Sequence, residues 1–513
     1  MSSTISSEEV ILVSPQLSFS TKRRRITPSN EASLTNRLLV VSPTSPVQPQ
    51  PLRAPPTFSS SSAEDLFPNA RAIIELRRPL HLPHGHPNTC HSSPETQPNL
   101  PISRQIRFPF DLHNSPAKFF DRANTKLLLD IFPSAQGVDF DERMLIYHFQ
   151  TLPPKPWPKK VAGVPCYLTD DEQDLGPFAR ILRRRSRSRI TISDHLDLRD
   201  NEPAAQLIFD LVKDFYERES IPITEIQFWE TTVIIVLDMP KDNDDVLYKV
   251  PRSVGQCNCF CLYEEEMGRP RTLPAFRMKP ASPNNGKIDN SRYETLRPGV
   301  ILSSGKHTEE EGSEILSSSG VLIKNRSGGV EFITAAAHGI PGSPYDGNVY
   351  HPSHAGAKVG QIIKEVTHTD VALVRLEEGV KFINEPFENT VTASGPFNFI
   401  GLARAAETKI GANIYLDSPF SGFLEGTRLS HSYMRVPTND PLGPEQKWIR
   451  CQWNYMGQGS QEAMVDGICG SAIWEDNRNV IGFSRYAPAS GLFADYCLSI
   501  SADCLLDEGY SIV

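Results

Sequence analysis

Three short segments in the last third of the chain hold residue types that together can attack a carbonyl group. FITAAAHG carries His338, HTDVALVRL carries Asp370, and DGICGSAIWEDNRNVIGF carries Cys469 with Ser471 two positions later. An imidazole can take a proton from a thiol or a hydroxyl, and a carboxylate behind it fixes its tautomer and stabilises the imidazolium that forms. Asp370 stands 32 residues after His338, which leaves room for intervening strands and turns within one small barrel. Glycines 467 and 470 flank Cys469, where the lack of a Cβ permits unusual backbone angles and close approach.

Other residues invite chemistry less well. His81, His84, His86, Cys90 and His91 cluster among prolines, but their spacing fits no zinc pattern. Cys257, Cys259 and Cys261 alternate as CNCFC, the period of one strand face, and read as structural. No metal or organic cofactor is expected.

The first segment resembles the histidine segment of the chymotrypsin-like peptidases, in which a strand ends in Thr-Ala-Ala-His. The second is similar to that family's Asp followed by an alternating apolar strand. The third resembles its Gly-x-Ser-Gly-Gly pattern with cysteine as nucleophile. With Cys469 in that place, Gly467 falls two before it and Gly470 one after, Ile473 and Trp474 form a strand, and Val480 to Phe483 form the returning strand. With Ser471 in that place, Ala472 stands where glycine is wanted, and Glu475 and Asp476 where buried strand is wanted. The chain thus looks like the Gly-x-Cys-Gly variant of the chymotrypsin-like cysteine proteases of positive-strand RNA viruses, over roughly its last 210 residues. The order His, Asp, nucleophile is that of chymotrypsin rather than of subtilisins or α/β-hydrolases.

The resemblance implies an endopeptidase with a double β-barrel and a polypeptide substrate, in which Cys469, His338 and Asp370 form the triad and the amides of Gly467 and Cys469 form the oxyanion hole. It implies a specificity pocket walled by the stretch from Ala463, by Ser484, Arg485 and Tyr486, and by the strand near Asp495. Ala463 is not the Asp that gives trypsins their basic preference, and Ser484 replaces the His that the viral enzymes use to read glutamine. Arg485 and Asp495 are the charged candidates for selecting a substrate side chain. Two alternatives stay open: a catalytically inactive pseudoprotease serving as a peptide-binding or scaffolding module, and a serine-type peptidase using Ser471.

These residues need elements to hold them. From about 300 to 513, runs such as GVLIKN, EFITAAA, KVGQIIKEV, VALVRL, ANIYLD, KWIRCQWNY and VIGFSRY are β-rich and divided by turn residues, the pattern of an antiparallel barrel. Residues 266–299 are Pro-, Asn- and Gly-rich and read as a linker. Residues 115–265 read as a small α/β or α+β domain of unknown role, a candidate protein-partner surface. There SPAKFFDRANTKLLLDIF and NEPAAQLIFDLVKDFYERE have helical period, with Ser115 and Asn201 as N-caps, and IQFWETTVIIVLDMP reads as one buried strand. SADCLLDEGY reads as a terminal helix capped by Ser501. Residues 1–110, rich in Ser and Pro, read as a disordered tail in which Lys22 to Arg25 form a basic run that could serve nuclear import.

A chain of 513 residues is too long for one core. Its net charge of −9 points away from nucleic acid as a partner, and the basic run Arg183, Arg184, Arg185, Arg187 and Arg189 reads first as a solvated face. No apolar run reaches the ~18 residues that cross a membrane, and the first residues lack a signal peptide's basic and apolar regions. Nine cysteines, an odd number thinly spread, fit a reducing compartment, so an intracellular location, cytoplasmic or nuclear, is expected.

Overall fold

The computed structural model describes Ile73–Arg77 and residues 103–513, apart from 156, 199–203, 242–243, 270–277, 281–287, 307–312, 327, 341–346, 388–396, 438–445, 458–463, 465–466 and 489. The basic run at Lys22 and the His81 to His91 cluster lie outside the described residues, as do Ala463 and Asn201. Among the described residues no group of side chains is arranged to hold a metal ion, and no helix is long and apolar enough to cross a membrane.

Two barrels occupy residues 300–513. The first contains β1 (Ile301–Lys306), β2 (Ser313–Ser318), β3 (Leu322–Asn325), β4 (Glu331–Ala336), β5 (Asn348–His351), β6 (Ala357–Glu365) and β7 (Val371–Leu376). β2 and β3 are two halves of one bent strand: β2 pairs with β1, β3 pairs with β4, and the Gly320 amide bonds the Thr334 carbonyl between them. Counting that pair once gives six strands, closed in the order first, second, third, sixth, fifth, fourth, with β1 returning to β5. The interior is filled by Leu302, Leu322, Ile333, Val349, Val359 and Val374.

The second barrel contains β8 (Asn413–Ser418), β9 (Gly422–Pro437), β10 (Gln446–Tyr455), β11 (Ala472–Glu475), β12 (Asn479–Tyr486) and β13 (Tyr496–Ser501). It closes in the same order, because β8 pairs with both β9 and β11. Ile414, Leu416, Leu424, Ile473 and Ile481 fill it. Two antiparallel barrels with one shared strand order are the chymotrypsin-like double β-barrel. Closure leaves each sheet no open edge within the barrel.

The upstream residues are built onto the second barrel in two parts. One packs helix Arg122–Asp130 on strands that include Leu145–His148 and Val164–Thr169, around Phe119, Leu128, Phe132 and Tyr147. The single helix expected there is broken: a 3-10 turn, Pro116–Phe120, precedes Asp121, whose carboxylate caps the helix at the Ala123 amide. The other part packs helix Ala204–Arg218 on strands Ile223–Trp229, Thr232–Leu237 and Cys257–Tyr263. Here the one strand expected is a hairpin, turned at Glu230 with φ +45°. Cys257, Cys259 and Cys261 are buried together while Asn258 is exposed.

Ile223–Trp229 pairs antiparallel with the far half of β9, Phe228 opposite His431 and Glu225 opposite Met434, so the upstream sheet continues into the barrel. Buried cations seal the junction. Arg269 bonds Glu225 at 2.5 Å and Glu264 at 2.8 Å, and Glu225 also takes the indole N–H of Trp453 in β10 at 2.9 Å. Lys159 gives its ammonium to the carbonyls of Glu425 and Met456, at 3.0 and 2.6 Å. The stretch read as a linker is packed at its far end: Arg297 is buried against Glu385, and Thr295–Leu296 pairs with Lys381–Phe382. At the C-terminus the helix is Asp503–Asp507, and Ser501 belongs to β13.

Candidate active site

β4 ends at Ala336 and one 3-10 turn, Ala337–Gly339, carries His338 out of it. The small residues are required by space, since a Cβ on Gly339 would lie 2.8 Å from Ser317 Cβ. Asp370 grips this turn three times. Its carbonyl accepts the Ala337 amide at 2.8 Å, its Oδ1 accepts the His338 amide at 2.9 Å, and its Oδ2 accepts His338 Nδ1 at 2.6 Å. With Nδ1 turned to Asp370, Nε2 is the ring nitrogen left to exchange a proton with another group.

Asp370 sits in a turn of unusual backbone. Thr367, His368 and Asp370 have φ of +46°, +59° and +71°, a region that costs a non-glycine residue roughly 1–3 kcal/mol. Local bonds offset that cost: the Val366 amide to the Val371 carbonyl at 2.7 Å, the Thr369 hydroxyl to the Val366 carbonyl at 2.6 Å, and the Asp370 amide to Glu365 Oε1 at 2.7 Å.

Cys469 lies in the turn Gly467–Gly470, between β10 and β11. Gly467 has φ +96°, with the Phe420 ring 2.7 Å from where a Cβ would stand; Gly470 has φ +88°, with the Ser318 carbonyl oxygen 2.5 Å from such a Cβ. Ser318, at the end of β2, fastens this turn to the first barrel: its amide donates to the Cys469 carbonyl at 3.0 Å and its hydroxyl to the Gly467 carbonyl at 2.9 Å. Among the described residues, the amides of Gly467 and Cys469 are given to no backbone carbonyl. The Cys469 thiol donates to the Arg485 carbonyl at 3.1 Å and lies near enough to His338 to raise its pKa.

The three groups perturb one another. Burial acts to lower the His338 pKa, but the charge and hydrogen bond of Asp370, joined by the Cys469 thiol, override it and push the value up to about 10. Burial acts to raise the Asp370 pKa, and the His338 imidazolium with its hydrogen bonds, assisted by Arg485, holds it below the usual carboxylate range. Metal-free acyl transfer needs such an arrangement: a nucleophile, a base oriented by a third group, and unspent amides beside them.

The other sequence candidates fall as follows. Ser471 immediately precedes β11, fully buried, and its hydroxyl has no hydrogen-bond partner among the described residues, so it is not paired with His338. Ser484 is buried with its hydroxyl 3.6 Å from Cys497 Sγ. The Tyr486 hydroxyl donates to the Gly268 carbonyl. Asp495 has its pKa raised by burial against the opposing effect of Arg180, Lys159 and Lys155, and so lies among cations of the upstream part. Arg485 turns to the triad instead, its Nε 3.7 Å from Asp370 Oδ2. Sequence reading passed over Ser318, which carries no motif, and the Arg485 to Asp370 contact.

No family model matches this sequence, and no curated protein does. Solved structures similar to it include a glutamic acid-specific serine protease, with 15% identity and a TM-score of 0.31 over 42% of this chain and 100% of that one. The Nocardiopsis protease NAPase has 14% identity and a TM-score of 0.30, over 42% of this chain and 98% of that one. The chymotrypsin of Cellulomonas bogoriensis has 13% identity and a TM-score of 0.29, over 43% of this chain and 98% of that one.

Proposed function

We propose that the chain is a cysteine endopeptidase acting through Cys469, His338 and Asp370. The observation that carries this reading is the His338 ring held through Nδ1 to Asp370 Oδ2 at 2.6 Å, with the Cys469 thiol of the second barrel near enough to that ring to raise its pKa. In the proposed reaction the thiol proton of Cys469 has already passed to His338 Nε2, whose raised pKa favours the imidazolium, and the Cys469 thiolate attacks the carbonyl carbon of a peptide bond. The oxyanion is met by the amides of Gly467 and Cys469, a contribution of roughly 3–4 kcal/mol per donor in comparable sites. His338 passes its proton to the leaving amine, the C–N bond breaks, and a thioester remains. Water then attacks the thioester with His338 as base, releasing the carboxylic acid and restoring the thiol.

A second reading, a peptide-binding module without turnover, draws on one observation: the thiol hydrogen is directed to the Arg485 carbonyl. Iodoacetamide labelling followed by mass mapping separates the two. The peptidase reading expects Cys469 to react at least tenfold faster than the other cysteines, His338→Ala to remove that advantage, and Ser471→Ala to keep it. Equal reactivity of all thiols, with or without His338, would leave the binding module standing.

A further inference from the structure

We propose that Arg485 is a positioning residue: it divides the Asp370 carboxylate with His338 and brings a fixed positive charge from the second barrel to the catalytic groups. This rests on the peptidase reading and adds a fourth member to it.

The backbone explains why an arginine of β12 points there. Where β12 pairs with β13 the register shifts between Ser484 and Tyr486, so Arg485 is an extra residue in the ladder. A bulge re-aims the side chain it carries and is common beside active sites. The guanidinium thereby reaches across the cleft to the same Asp370 oxygen that takes His338 Nδ1, at 3.7 Å against 2.6 Å. Asp370 is its only ionic partner among the described residues, and its Nη1 is buried there without a hydrogen-bond partner. The main chain of the same residue accepts the Cys469 thiol hydrogen. One residue therefore touches both the nucleophile and the carboxylate, which lie on different barrels.

A cation in this place has two effects of known sign. It draws on the carboxylate that holds the imidazolium, so His338 gives up its proton more readily than it would against Asp370 alone. It also favours a thiolate on Cys469. The other titratable groups beside the site are Glu365, which accepts the Asp370 amide, Cys504, which is influenced by Thr369 of the same turn, and Cys497 and Cys451, which sense the charges of Cys469 and Arg485. None of these four supplies positive charge.

The test is the rate of Cys469 alkylation by iodoacetamide against pH, from 5 to 10.5, in the full chain and in Arg485→Gln, Arg485→Lys and His338→Ala, with thermal unfolding as the check on folding. In Arg485→Gln both the rising limb and the alkaline limb are expected to move up by about one pH unit, the effect of removing one charge at this range. Arg485→Lys keeps the charge and is expected to restore at least half of the shift. A rate lowered equally at every pH, with limbs in place, would mean that Arg485 only supports the fold and would overturn the proposal. If the unaltered chain shows no His338-dependent rate advantage, the peptidase reading itself fails and takes this role with it.

Discussion

The two barrels share a strand order but hold the groups proposed for catalysis by opposite means. In the first, the turn bearing Asp370 uses three non-glycine residues at positive φ, kept there by side-chain hydrogen bonds from Thr369 and Glu365. In the second, the turn bearing Cys469 uses Gly467 and Gly470, whose missing side chains let it lie against Phe420 and Ser318. The second barrel is also the one wired to the upstream sheet, through β9 and the buried ammonium and guanidinium groups of Lys159 and Arg269. A heavily anchored half presents the proposed nucleophile, and a half held by local polar bonds presents the proposed base.

Breaking the anchor of the second barrel should have the largest effect. Arg269→Ala leaves Glu225 and Glu264 buried without their cation, and a loss of about 3–5 kcal/mol is expected in the urea midpoint. Next comes the nucleophile turn. Gly470→Ala forces a Cβ toward the Ser318 carbonyl at positive φ, costing about 2–4 kcal/mol and the alkylation advantage of Cys469, measured by thermal unfolding and by labelling.

The pH dependence of stability should sharpen the contrast, because the two halves carry shifts of opposite sign. His338 has its pKa raised to about 10, so its pair with Asp370 stabilises the fold fully below the unfolded value near 6.5, and that contribution is lost as pH rises through 10. Lys159 is lowered by burial to about 8, so the unfolded chain binds more protons between there and the ordinary lysine value of 10.5, and this penalty is relieved as pH rises through that window. Urea midpoints from pH 6 to 10.5 should fall less steeply in Asp370→Asn than in the unaltered chain, and more steeply in Lys159→Met. The smallest effect is expected of Ser318→Ala, which removes the hydroxyl bond to the Gly467 carbonyl: about 1–2 kcal/mol and a several-fold slower labelling of Cys469.

Much of this was legible in the sequence where local pattern decides. The strands around Ile333 and Val374 are short apolar runs bounded by polar and turn residues, as buried strands are, and the glycines beside Cys469 announce its turn. β9 was not legible, because its buried positions include Arg428, Ser430, His431 and Ser432, so the alternation of apolar and polar residues is lost; its far half is covered by a strand about 200 residues upstream. The hairpin at Glu230 was missed for want of a glycine or asparagine at the positive φ. Arg485 could be named as a charged residue near the cleft, but its direction depends on a one-residue bulge that only the pairing of β12 with β13 reveals.

The most direct test of the account is acid-quenched trapping of an acyl-enzyme. The full chain is mixed with an activated acyl ester such as a p-nitrophenyl ester, quenched within seconds, digested and mapped by mass. The account predicts one acyl group as a thioester on Cys469, absent in Cys469→Ala and slowed at least a hundredfold in His338→Ala. An adduct on Ser471, or acylation of Cys469 that is indifferent to His338, would contradict it.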